Sequence, residues 1–139
     1  APSVSLLTVN TLAYVDEIFI PVSMEMLAFA SVTQFMAYLE EINTVLGHGA
    51  DIRLIIPTMY DPRRKISKTV LDQLRNIGRK IRITEPIWID TKLSEAPGEG
   101  QTIFEYAPTS RGAQDYLNVI DLIEQLGPVR QYNSNHAAV

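Results

Sequence analysis

The 139-residue chain contains no cysteine, which excludes disulfides and thiolate chemistry and fits a reducing compartment without requiring one. Histidine is scarce. His48 sits in Gly-His-Gly-Ala and His136 in a polar terminal stretch, and neither has a neighbour at metal-ligand spacing, so no metal site is expected. For the same reason the serines lack a histidine with which to build an acyl-transfer triad. No apolar run approaches the roughly 18 residues that a membrane span requires. The first residues lack the basic, apolar, small-residue order of a signal peptide, so neither export nor membrane insertion is expected. The signatures G-x-x-x-x-G-K-[ST], G-x-G-x-x-G and G-x-S-x-G are all missing. Gly-Glu-Gly at 98–100 is too short to cradle a phosphate. On its residues alone the chain is not a complete enzyme.

What is present suits one folded domain: 46% hydrophobic and 20% charged residues can build a real core. The net charge of −4 hides an asymmetry. Between 63 and 82 lie eight basic residues, Arg63, Arg64, Lys65, Lys68, Arg75, Arg79, Lys80 and Arg82, against the single acid Asp72, a net +7. The other four basic and fifteen acidic residues leave the rest of the chain at −11. Such a segment reads either as a solvated helix face or as a surface for an anionic partner.

Along the chain, residues 5–15 carry helical apolar spacing. Ile18, Phe19, Ile20 and Val22 form a short run suited to a strand buried on both faces, which Pro21 brings to an end. The stripe Ala28, Val32, Phe35, Met36, Leu39, Ile42, Leu46 predicts a helix over 24–46, closed by the glycines at 47 and 49. Phe35, Met36 and Tyr38 read as core packing rather than a cofactor box. Residues 51–58 predict a second buried strand and 59–65 a loop. A third helix follows, with Ser67 as a candidate cap and Val70, Leu71, Leu74 and Ile77 inward; Lys68, Arg75 and Arg79 fall on another face. Residues 80–84 predict a short third strand, and Pro-Ile-Trp-Ile-Asp (86–90) a candidate fourth. A last amphipathic helix is expected over 110–127, with Ala113, Leu117, Ile120 and Leu126 inward, then a polar tail over 127–139. This alternation argues an α/β fold with a parallel sheet, whose ligands gather at the carboxyl ends of the strands. The irregular stretch 93–116 lies there.

Five blocks then carry a resemblance. "APSVSLLTVNTLAYVDEIFIPV" is similar to the switch II segment D-x-P-P-S-x-x-x-L-T-x-N-A-L and the strand after it. "LAFASVTQF" resembles the start of the following helix. "TMYDPRRKIS" is similar to T-M-Y-D-x-R-T-x-L-S. "KLSEAPGEGQTIFEY" resembles R-L-S-E-A-P-S-x-G-K-P-I-x-x-Y, and "APTSRGAQDY" resembles D-P-x-S-x-G-A-x-x-Y. All five belong to the ParA/Soj family of chromosome- and plasmid-partitioning ATPases, MinD relatives with a deviant Walker A motif. The resemblance covers residues 1–126 and matches the family's C-terminal half. It implies a three-layer P-loop NTPase-like α/β fold, with the phosphate loop, switch I and first strands upstream of Ala1. It also leaves a sheet edge without a neighbour, where self-association is a hazard.

In the complete family member the resemblance implies ATP hydrolysis with Mg2+, an ATP-sandwiched homodimer and non-specific binding to duplex DNA. It further implies release by a ParB-type centromere-binding protein, a cytoplasmic, nucleoid-associated location and no membrane partner. This chain alone is expected to be inactive, since it lacks the Walker A loop. Pro2 matches the switch II proline, and Thr58 and Met59 the loop beside the adenine. The family's base-walling I-P-R-N-V-R falls on residues 87–92, where Trp88, Ile89 and Asp90 replace proline, arginine and asparagine. Trp88 therefore has two readings, a ring stacked on adenine or a packed side chain. The DNA-contacting positions fall on Arg63 and Lys92, with Arg64, Lys65, Lys68 and Arg75 extending the patch; lysine at 92 keeps a phosphate contact but loses the planar fork. Ser94 and Glu95 are expected to hold their loop by capping or backbone bonds. The rival readings are a DNA-binding module without enzymatic activity, an inactive folding fragment, and a MinD-like membrane ATPase. The last is disfavoured because the terminal residues carry one basic group and little apolar periodicity.

Overall fold

The β-branched runs at 17–23 and 51–58 each carry a proline, and the two prolines shape the sheet. The computed structural model describes residues 6–47, 49–77 and 81–127; Pro2, both histidines, Arg79, Lys80 and the 128–139 tail lie outside them. Strands β1 (Glu17–Ser23), β2 (Asp51–Thr58) and β3 (Arg82–Ile83) form one parallel sheet in that order. Pro21 lies exposed on β1, a strand paired on one side only among the described residues, where a missing N–H costs no ladder bond. Pro57 lies on the central strand, and its carbonyl accepts from Ile87 N (2.9 Å), which shows that it faces the β3 side. With no donor there, the β2–β3 ladder ends after Ile83 and resumes only as the single bridge Tyr60–Trp88. Residues 86–90 are therefore not a fourth strand. The expected third strand shrinks to two residues.

Helix α1 (Leu6–Leu12) precedes β1. The crossover helices are α2 (Met26–Leu46), between β1 and β2, and α3 (Lys65–Ile77), between β2 and β3. Because spatial order follows chain order, both pack on one face of the sheet. Val22, Met24 and Ile55 from the strand region meet Val32 of α2 and Val70, Leu71 and Leu74 of α3 there. A second cluster, Leu12, Leu39 and Ala50, closes the other end and takes in Phe35 and Tyr38, while Met36 packs on the first, so all three are core residues. Gly47 ends α2 in the left-handed region (φ 69), which a side chain would strain, and its N–H bonds to Asn43 O at 3.1 Å. Ser67 is not a cap. Helix α3 begins at Lys65, and Ser67 is fully buried, its Oγ accepting from Asp61 N at 3.5 Å. Its neighbours on the outer face, Lys68 and Arg75, are exposed as expected.

Strand β1 is half-buried rather than buried on both faces, since it borders the sheet. The β1–β2 register slips between Ile18 and Phe19, leaving Arg53 as the extra residue of a bulge. Its guanidinium pairs with Glu17 (3.2 Å) and donates to the carbonyls of Leu126 (2.9 Å) and Gly127 (3.0 Å). These carbonyls end the last helix, α6 (Arg111–Gln125), and have no helical N–H of their own to accept. The interior face of α6 is Gly112, Ala113 and Val119. Leu117 and Ile120, expected inward, are each 39% exposed.

Leu74 is fully buried among side chains of two helices and a strand. Leu74→Ala is expected to lower stability by about 2–5 kcal/mol in urea titrations. A loss under about 0.5 kcal/mol, the scale of a surface change, would contradict this packing.

Candidate functional site

Residues 87–90 lie extended beside the end of β2 and tie three elements together. Tyr60 N donates to Ile87 O and Ile89 N to Tyr60 O, each at 3.0 Å. On the other side Trp88 N donates to Asp115 Oδ2 of α6 at 3.0 Å. The Trp88 ring packs edge-on to Tyr60, with centroids 5.5 Å apart, and the Arg111 guanidinium covers its face at 3.5 Å. Asp90 caps α4 (Thr91–Glu95): its Oδ1 accepts from Lys92 N (2.9 Å) while Oδ2 accepts from Gly112 N (2.7 Å) at the start of α6. Gly112 is needed for that approach, because a Cβ would come within 2.7 Å of Leu93 Cγ.

The sequence-predicted wall residues thus converge at the carboxyl end of the sheet. Thr58 closes β2 with its carbonyl accepting from Met24 N (3.1 Å). Met59 follows at φ 55, a left-handed conformation rare for a non-glycine residue, and is 63% exposed. Ile89 is also exposed. Both carboxylate oxygens of Asp90 are engaged by backbone N–H groups, so its observed work is to hold two helices. Trp88 is half-buried, with one face under Arg111. Pro2 lies outside the described residues.

The stretch after Asp90 is more regular than its glycines and prolines suggest: α4 runs into a 3-10 turn (Ala96–Glu99), then α5 (Ile103–Tyr106). Thr102 and Glu105 form a reciprocal capping box, legible as T-x-x-E. Glu95 does hold this stretch, but by side chains. Its Oε2 accepts from Lys92 Nζ (2.7 Å) and from Tyr106 OH (2.8 Å), and at the start of the 3-10 turn it makes no capping bond. These bonds lower the Glu95 carboxyl below its usual range, the Lys92 ammonium first, and the bond to Glu95 raises Lys92 above its own, so both stay charged near neutrality.

Arg63 is held differently. Its Nε and Nη2 each donate to an oxygen of Asp61 at 2.9 Å, and its backbone N–H adds a third bond to Oδ1. Asp61 is 8% exposed, whereas the Arg63 side chain is 87% exposed. The fork grips Asp61 by two nitrogens and leaves the rest of the guanidinium in solvent. Arg64 is exposed beside it. The Arg63 guanidinium, then its backbone N–H, brings the Asp61 carboxyl down from 3.8 to about 2. A depressed carboxyl contributes stability above its unfolded value and loses it as pH falls through its folded one. Urea titrations should therefore show an advantage of the parent over Asp61→Asn that is full above about pH 4 and fades as pH falls through about 2. An advantage independent of pH would contradict this pairing.

No model of a known protein family matches the chain. Individual relatives do. The chromosome-partitioning ATPase Soj of Thermus thermophilus is 40% identical over 121 residues, which cover 86% of this chain and 48% of that protein. The chromosome partitioning protein ParA of Caulobacter vibrioides is 32% identical over 119 residues, 85% of this chain and 44% of that protein. The sporulation initiation inhibitor protein Soj of Bacillus subtilis is 32% identical over 118 residues, 85% and 47% respectively. Among solved structures, apo McdA of Cyanothece superposes with a TM-score of 0.70 at 14% identity, covering 81% of this chain and 46% of that one. An ATP complex of a McdA variant gives 0.68 at 15%, covering 82% and 45%. The folds therefore agree. The chain is similar to proteins named Soj and ParA and spans about half the length of the curated relatives it matches.

Proposed function

We propose that the chain is the C-terminal half of a ParA-type partitioning ATPase. The observation that carries this reading is an identity of 32–40% to partitioning proteins named Soj and ParA, running through 85–86% of the chain. Thr58, Met59, Trp88, Ile89 and Asp90 would wall the adenine. The exposed apolar side chains of Met59 and Ile89 lie on two segments bridged at Tyr60 and Trp88, which suits a flat ring better than a phosphate. Pro2 would belong to the segment that senses the γ-phosphate. The phosphate loop and Mg2+ ligands would come from an upstream half. The edge of β1, unpaired among the described residues, and the apolar cleft beside it, lined by Ile20, Val22, Ala28, Val32 and Phe35, suit the strand that such a half would add.

In the complete protein, ATP would join two copies, and Arg63, Arg64 and Lys92 would meet the phosphates of duplex DNA. Phosphate contacts carry no sequence information, in keeping with a protein that coats a nucleoid. A ParB-type protein bound at the centromere would stimulate hydrolysis and release the DNA. The chain by itself would not hydrolyse ATP. The second reading, a basic surface that binds DNA without nucleotide, draws on the +7 segment at 63–82.

Trp88 is the single tryptophan and reports on the proposed wall directly. Titrating its fluorescence with ATP, and duplex DNA binding against salt, should show no ATP-dependent DNA binding by the 139 residues alone. Both should appear once an upstream half is joined. Arg63→Ala and Lys92→Ala should each then reduce the slope of log affinity against log salt by about 0.9. Nucleotide-independent, salt-steep binding by the chain alone favours the second reading. No DNA binding by either form refutes both.

A further inference from the structure

Two of the three proposed DNA-facing cations, Arg63 and Lys92, are each paired with an acid, and the two acids are not equivalent. Asp61 is built into its loop. It is buried, receives a backbone N–H as well as the guanidinium, and cannot be removed without undoing the turn that presents Arg63. Glu95 ties its stretch through side chains alone. Its side chain is 43% exposed, it makes no cap, and its partners are two side chains, Lys92 and Tyr106. A neutral amide in its place would still accept from Tyr106. What only the carboxylate supplies is a negative charge 2.7 Å from Lys92 Nζ.

We propose that Glu95 is an electrostatic clamp on Lys92, an internal anion that occupies the ammonium until a phosphate displaces it and so sets how tightly this surface holds DNA. The inference rests on the reading of Lys92 as a phosphate contact. Two features make the clamp positioned rather than incidental. The Tyr106 hydroxyl donates to the same Oε2 that receives Lys92, which holds the carboxylate on the lysine side. The Tyr106 ring lies 5.6 Å from Lys92 Nζ, so the ammonium keeps a favourable resting place over an aromatic face during the exchange. The exposure of the pair keeps it weak. Half-exposed ion pairs are screened and contribute little, so a phosphate competes on nearly even terms. Such a clamp lowers affinity without abolishing it, which suits a surface that must release its DNA.

The test uses whichever polypeptide binds duplex DNA in the preceding experiment, the 139 residues alone or joined to their upstream half. Glu95→Gln removes the charge and keeps an acceptor for Tyr106. It should tighten DNA binding about 1.5- to 5-fold at low salt and steepen the log–log salt slope by up to about one unit. Added to Lys92→Ala, it should have a markedly smaller effect. A purely structural Glu95 would instead weaken binding or shift it with no change of slope, and either result overturns the clamp. If Lys92→Ala weakens binding while Glu95→Gln does nothing, the clamp falls and the reading of Lys92 stands. If Lys92→Ala has no effect, or neither polypeptide binds DNA, the reading of Lys92 fails and the clamp goes with it.

Discussion

The carboxylate of Asp90 is shared between two helix starts, one oxygen on Lys92 N and the other on Gly112 N. A helix N-terminus presents N–H groups with no internal partner and a positive dipole end, and an acid meets both needs at once. Here a single acid does so for α4 and α6, which are far apart in sequence. Around it, Asp115 returns from α6 to Trp88 N, Arg111 lies on the Trp88 ring, and Tyr60 exchanges backbone bonds with residues 87 and 89. Nearly everything at the carboxyl end of the sheet is therefore positioned through four residues of extended chain. Lys92 and Glu95 are aimed by the helix that Asp90 starts, and Tyr106 by α5, which follows the 3-10 turn.

The α/β class, the parallel sheet and the two crossover helices were legible because α3 has a strong apolar period, α2 is a long apolar segment, and proline or glycine marks the boundaries. Val70, Leu71 and Leu74 are interior as their spacing requires. What failed did so for local reasons. Apolar residues at 86–90 suggest a strand, but Pro57 and Pro86 remove donors that a ladder would need, and the chain there bonds outward to α6. Leu117 and Ile120 satisfy a helical period, yet the buried positions of α6 are Gly112, Ala113 and Val119, and Gly112 lies against Leu93 where a side chain would not fit. Ser67 resembles a cap but lies three residues past the cap position.

The candidate site was legible by another route. Arg63 stood out by charge count and by resemblance together, whereas Thr58, Met59, Lys92 and the 87–90 segment came from resemblance alone. The acids that partner the cations were not foreseen, because a sequence of net charge −4 gives no sign of which carboxylate meets which cation. Asp61 lies two residues before Arg63 and Glu95 three after Lys92, spacings that suggest contact only once the turn and helix are known. The distinction between a buried acid that builds a loop and an exposed one that tempers a charge is a product of the fold.

The account turns on Asp90 coupling α4 to α6. Amide hydrogen exchange, compared between the parent chain and Asp90→Ala, tests it most directly. The account predicts that the amides of Lys92 and Gly112 lose protection together, while those of Leu54 and Ile55 in the central strand keep theirs. Unchanged protection at Gly112 would contradict it, for the two helices would then be held by something other than the carboxylate they share.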